Sequence, residues 1–124
     1  MFLETMEKKS TPTINQFVGL VKTNPFENSL EAIEQLAGSI VNDLNLNVVK
    51  KFSHTFSPKG ITLIYILSES HLVIHTWPEL GVIHIDLATC SFRTLEGFKK
   101  TLKHALYDYN NHSIRVKQID IDKL

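Results

Sequence analysis

The sequence predicts an α+β domain: a two-layer sandwich in which an antiparallel-rich sheet carries two helices on one face. Three observations lead there. Residues 30–44 and 95–109 repeat apolar side chains at spacings of three and four, the period of a helix with one buried face. Six other stretches are short, rich in β-branched and aromatic residues, and bounded by turn formers. Their order, β-α-β-β-β-β-α-β, sets four strands in a row between two helices, an arrangement that builds layered α+β folds.

The elements follow in order. Residues 1–12 are polar, run into "KKSTPT" at 8–13, and read as a mobile leader to a single domain over 13–124. "INQFVGLVK" is the first strand and "TNPFENS" a turn. On the first helix Leu30, Ile33, Leu36, Ala37, Ile40, Val41 and Leu44 share one face, and Asn28 with Glu31 three residues on resembles a capping box. "NVVKKFSHTFS" is a strand closed by the turn "SPKG". "ITLIYIL" is almost continuously apolar, which suits a strand covered on both faces. "HLVIHT", the turn "WPELG" and "VIHIDLATC" make a hairpin. Thr94 caps a second helix with Leu95, Phe98, Leu102, Ala105, Leu106 and Tyr109 on one stripe. Asn110 and Asn111 tolerate a left-handed C-terminal position, and "SIRVKQIDI" alternates as a last strand.

Composition narrows the function. A chain of 124 residues makes one domain, small enough for dimerisation to help bury its surface. Thirteen Lys and Arg balance thirteen Asp and Glu, so no net field draws the chain to nucleic acid or to an anionic membrane. One cysteine forms no internal disulfide, the N-terminus lacks a secretory signal, and no apolar run reaches membrane-spanning length. A reducing cytoplasm is the expected location, with Cys90 a free thiol.

The chemistry concentrates in "SESHLVIHTWPELGVIHIDLATCS", residues 68–91. Folding the hairpin about residues 78–80 pairs positions whose numbers sum to about 158–160, following the antiparallel rule. Cys90 then lies beside Ser70, and His75 opposite His84. Alternation puts His71, His75, His84, Asp86 and Cys90 on one face with Ser70 at its end. Ser70 and His75 have opposite parity, so bringing them together requires a bend near Glu69 and Ser70. Three readings fit this cluster. The residues are satisfied polar groups on a half-solvated hairpin; or histidines and a thiol ligate a metal, although the spacing matches no zinc pattern; or a serine or cysteine near a histidine base performs covalent chemistry. Residue spacing alone goes no further.

The same stretch resembles the motif of the small prokaryotic S-adenosylmethionine decarboxylases, pyruvoyl enzymes of polyamine synthesis. The shared residues are Glu69, Ser70, His71, the run "IHTWPE" at 74–79, Gly81, Asp86, Thr89 and Cys90. The likeness thins upstream, where "FSHTFSPKGIT" resembles the strand and turn before the family's processing site.

The resemblance implies a self-cleaving proenzyme, split between Glu69 and Ser70 into 1–69 and 70–124. The Ser70 hydroxyl attacks its own preceding carbonyl to form an ester; β-elimination and hydrolysis then leave a pyruvoyl group on the fragment beginning at residue 70. His75 handles protons in this processing, with the Thr62 hydroxyl in support. The pyruvoyl carbonyl forms a Schiff base with the substrate amine and accepts electrons as carbon dioxide leaves. Cys90 serves as general acid, since an ordinary thiol is protonated at neutral pH. Phe56 and Trp77 are placed to stack on adenine and Glu79 to bind ribose hydroxyls; packing and turn structure are the competing roles. No metal is implied.

Three departures from the family pattern stand out. The first strand lacks the usual glycine, basic residue and histidine, Leu63 replaces a small residue, and "TCS" stands where "TCG" is commoner. None touches Glu69, Ser70, His75 or Cys90. The expected partners are therefore a small-molecule substrate, S-adenosylmethionine on the way to spermidine, and a second copy of the chain in a homodimer. Two alternatives remain open: the same chemistry on a basic amino acid such as ornithine or arginine, and an unprocessed homologue that only binds.

Overall fold

The computed structural model describes residues 13–27, 29–68 and 70–120; the expected leader over 1–12 lies outside them. The elements are β1 (Asn15–Lys22), α1 (Leu30–Asp43), β2 (Val48–Thr55), β3 (Ile61–Leu67), β4 (Ser70–Trp77), β5 (Val82–Thr89), α2 (Leu95–Ala105) and β6 (Ser113–Ile119). A short 3₁₀ turn, Pro78–Leu80, joins β4 to β5. This is the predicted order.

The six strands form one sheet, β2-β3-β4-β5-β1-β6, in which each neighbouring pair is antiparallel. Both helices pack on one face, so the molecule is the two-layer α+β sandwich expected. The core lies between the layers. Ile33, Leu36, Ala37, Ile40 and Val41 of α1 and Phe98 and Leu102 of α2 press on Phe17, Val21, Leu63, Leu72, Ile74, Ile83, Ile85 and Leu87. Phe98 stacks on Phe17, ring centroids 5.3 Å apart. Gly19 admits α2 close to β1, because a Cβ there would stand 2.8 Å from Leu102 Cδ1.

The caps explain where the helices start and stop. The α1 cap is Ser29, whose Oγ accepts from Ala32 N, rather than the expected Asn28, which lies outside the described residues. Both residue types cap well, and the frame is set by which hydroxyl or amide reaches the third position. Thr94 caps α2 as predicted, accepting from Gly97 N. Asn45, just past the cap of α1, is left-handed at φ 54°. Of the asparagine pair expected to close the second helix, Asn111 is left-handed at φ 53° but sits in the turn before β6, because α2 already ends at Ala105 and not at the expected Tyr109. The turn into β5 depends on Gly81, at φ 64°, where a Cβ would fall 2.0 Å from Thr23 O. The same close approach lets Thr23 N donate to Gly81 O at 2.7 Å.

The apolar run over β3 suits a strand with cover on both faces, and within this chain the helices cover one of them. Ile61, Leu63, Tyr65 and Leu67 are buried under the helices, while Ile64 and Ile66 remain 37% and 40% exposed on the other side. That open face also carries Phe52 on β2, Leu20 on β1 and the histidines of β4 and β5. Among the described residues no helix is long and apolar enough to cross a membrane.

Candidate active site

The β4–β5 ladder pairs His71 with Ala88, Val73 with Asp86 and His75 with His84. Each sum is 159, inside the predicted register, so His71, His75, His84 and Asp86 share the open face. Pairing then propagates across the sheet. His54, Thr62, His75, His84, Leu20 and Arg115 form one row from β2 to β6, and Phe52, Ile64, Val73, Asp86, Val18 and Lys117 the next.

At one end of β4 the row through His75 has chemical potential. Thr62 Oγ1 lies 2.9 Å from His75 Nδ1, which fixes the ring's orientation and leaves Nε2 for proton exchange. Burial holds His75 below the ordinary histidine value of 6.5; the neighbouring His84, 6.2 Å away between ring centroids, adds to this and Asp86 opposes it. A neutral imidazole is therefore favoured, as a base requires. A cavity of about 460 Å³ opens beside this pair, lined by Phe56, Lys59, Thr62, His75, Trp77 and Glu79 among others. Every residue expected to bind substrate is thus gathered there. Lys59 is an addition that the sequence reading missed.

The other end of β4 holds Ser70, the expected nucleophile. Ser70 is the first residue of the strand and pairs with Leu67, so two residues connect β3 to β4. Its Oγ donates to Ser68 O at 3.1 Å. Ser70 and Cys90 line one cavity of about 270 Å³ with Asn47, Ser68, Thr89 and Arg93. The side-by-side placement of Ser70 and Cys90 agrees with the hairpin register. Cys90 itself is exposed and follows the last residue of β5. Glu69, the residue expected upstream of the cleaved bond, lies outside the described residues.

The two clusters stay apart. Ser70 and His75 are five residues distant on one extended strand, about 16 Å at the usual rise per residue. Their parities also differ: Ser70 pairs with buried Leu67, His75 with Thr62 on the open face. The bend that would unite them within one chain is absent, because β4 runs unbroken from Ser70 to Trp77. Asp86 is engaged by Gln16 Nε2 at 3.2 Å and by His71 at 3.8 Å. Among the described residues no group of three His, Cys, Asp or Glu is arranged to hold a metal ion. His71 lies four residues from His75 on β4, about 13 Å at the usual rise, and is thereby kept away from the His75–His84 pair.

A pyruvoyl group made from Ser70 fits this end of the sheet. The serine borders a cavity instead of the core, and a thiol borders the same space.

Comparison with known proteins bears on both clusters. The S-adenosylmethionine decarboxylase family profile matches residues 22–119, a segment containing all of them. An S-adenosylmethionine decarboxylase proenzyme from Pelotomaculum thermopropionicum is 40% identical over 63 residues, 51% of this chain and 50% of that protein. One from Thermotoga maritima is 38% identical over 80 residues, 60% of this chain and 62% of that protein. The chain thus spans about half to three fifths of the length of these curated relatives. The crystal structure of an adenosylmethionine decarboxylase from Aquifex aeolicus shares the fold, with a TM-score of 0.67 over 90% of this chain and 94% of that one at 22% identity.

Proposed function

This chain belongs to the S-adenosylmethionine decarboxylase family, and from that premise we propose that it is a pyruvoyl-dependent decarboxylase of S-adenosylmethionine, supplying the aminopropyl donor for spermidine. The observation that carries the reading is the meeting of Ser70 and Cys90 in one cavity at the start of β4. Self-cleavage between Glu69 and Ser70 separates 1–69 from 70–124 and converts Ser70 to the pyruvoyl group. That group would supply an electrophilic carbonyl and an electron sink for loss of carbon dioxide from the substrate. The side chains do the rest. Cys90 donates the proton that the decarboxylated carbon takes up. Phe56 and Trp77 stack on the adenine, and Glu79, among the described residues the one carboxylate lining the cavity beside His75, accepts from ribose hydroxyls. A reducing cytoplasm keeps Cys90 a thiol for this task.

The working unit is a homodimer of processed protomers. Leu20, Phe52, Ile64 and Ile66 expose a patch on the open face that a second copy covers, since soluble monomers seldom leave such a face bare. Two copies related by a two-fold axis lay β4 of one against the open face of the other. The Thr62–His75 pair of one copy then serves Ser70 and Cys90 of its partner, which the separation of about 16 Å along one strand denies within a chain. His75, kept neutral by burial, accepts the Ser70 hydroxyl proton during processing.

The test is release of labelled carbon dioxide from carboxyl-labelled S-adenosylmethionine, ornithine and arginine. Turnover of the first, lost on borohydride treatment with substrate and lost in Cys90→Ala, is the expected result. Turnover of ornithine or arginine alone transfers the mechanism to a basic amino acid. No turnover of any of them, with the chain uncleaved, leaves a binding homologue.

A further inference from the structure

We propose that Asn47 is a positioning residue for self-cleavage, clasping Ser68 from outside the hairpin so that the carbonyl that accepts the Ser70 hydroxyl is held in place. This rests on the reading of Ser70 as the cleavage site.

Asn47 lies just before β2, where the pairing of Val48 with Leu67 carries it alongside the β3–β4 connection. The clasp runs in both directions. Ser68 N donates to Asn47 O at 3.0 Å, and Asn47 Nδ2 donates to Ser68 Oγ at 2.9 Å. Ser68 in turn accepts the Ser70 hydroxyl on its carbonyl. The residue that Asn47 grips is therefore the one that orients the nucleophile. Asn47 also borders the cavity shared by Ser70 and Cys90.

The connection needs outside support. Two-residue hairpin loops are stable when they contain Asn-Gly, Asp-Gly or Gly-Gly, which adopt positive φ without cost. Here the two residues are serine and glutamate. Downstream, Ser70 is fixed by the β4 ladder; upstream, Ser68 is fixed by Asn47. Attack of a hydroxyl on a neighbouring carbonyl is an intramolecular step whose rate follows the fraction of time the two are aligned, so loosening either side slows it. Asn47 is exposed and outside the core, so its removal leaves the fold standing.

The experiment follows cleavage of freshly made precursor by intact mass over time, in the full chain and in Asn47→Ala, Ser68→Ala, the double variant and Asn47→Asp, with unfolding midpoints measured in parallel. Losing the side-chain bond slows cleavage about tenfold in either single variant. The double variant is no slower than the singles, because both remove one interaction. Asn47→Asp recovers most of the rate, since the Ser68 hydroxyl can donate to the carboxylate, and the midpoints stay put. Wild-type cleavage with Asn47→Ala within twofold of it overturns the positioning role alone, as do single effects that multiply in the double variant. A wild-type chain that never cleaves overturns the role together with the reading of Ser70.

Discussion

Pairing a Ser70→Ala chain with a His75→Ala chain separates a site shared between two copies from one contained in each. On the proposed chemistry each variant alone should be dead, the first for want of the pyruvoyl precursor and the second for want of the base. The geometry decides what a mixed dimer does. Ser70 and Cys90 share a cavity at one end of β4, while Thr62 and His75 sit at the other, about 16 Å along an unbroken strand. If the site is assembled across the two-fold axis, one of the two sites in a mixed dimer receives intact Ser70 and Cys90 from the His75→Ala chain and intact Thr62 and His75 from its partner. The other site is doubly deficient. Mixed dimers isolated with two affinity tags should therefore show about half the wild-type turnover, and an unsorted equal mixture about a quarter, because half of the dimers are mixed. Mass spectrometry should find only the His75→Ala chain cleaved. A sorted mixed dimer that stays whole and inactive would refute the shared site, and a chain that remains monomeric at working concentration would do the same.

Three further outcomes follow from the packing and the charges. His75 is held below the ordinary value of 6.5 by burial and by His84, so the unfolded chain takes up its proton at a higher pH than the folded one. That stabilising contribution is complete above pH 6.5 and is lost as the pH falls below it; His75→Gln should flatten the acid side of a urea-midpoint profile, and processing should reach half its maximal rate below pH 6.5. Phe98→Ala removes a ring that is 1% exposed and stacked on Phe17, and urea titration should show a loss of about 3–5 kcal/mol. Gly38→Ala, where a Cβ meets nothing within 4 Å on α1, should raise stability by about 0.5–1 kcal/mol by the same titration.

Much of the fold was legible because it depends on local periodicity. The stripes of Ile33, Leu36, Ala37 and Ile40 on α1 and of Phe98 and Leu102 on α2 are the faces the core uses. The turn "WPELG" pinned the hairpin register to one residue, which placed His75 opposite His84 and Cys90 near Ser70. What escaped the sequence depends on contacts between distant segments. Ser29 and Asn28 are equally good caps on paper, and only the three-dimensional frame chooses. Asn47 meets Ser68 through strand pairing alone, and Lys59 enters the cavity of Phe56 and Trp77 by the path of a turn. The distance between Ser70 and His75 was half visible: their opposite parity already argued against contact on a straight strand.

The intact mass of the purified, denatured protein tests the central claim most directly. The account predicts two species, corresponding to residues 1–69 and 70–124, with the second lighter than its serine-started sequence by about 17 Da, the ammonia lost as the pyruvoyl group forms. A single species of 14.1 kDa that persists through long incubation would contradict it.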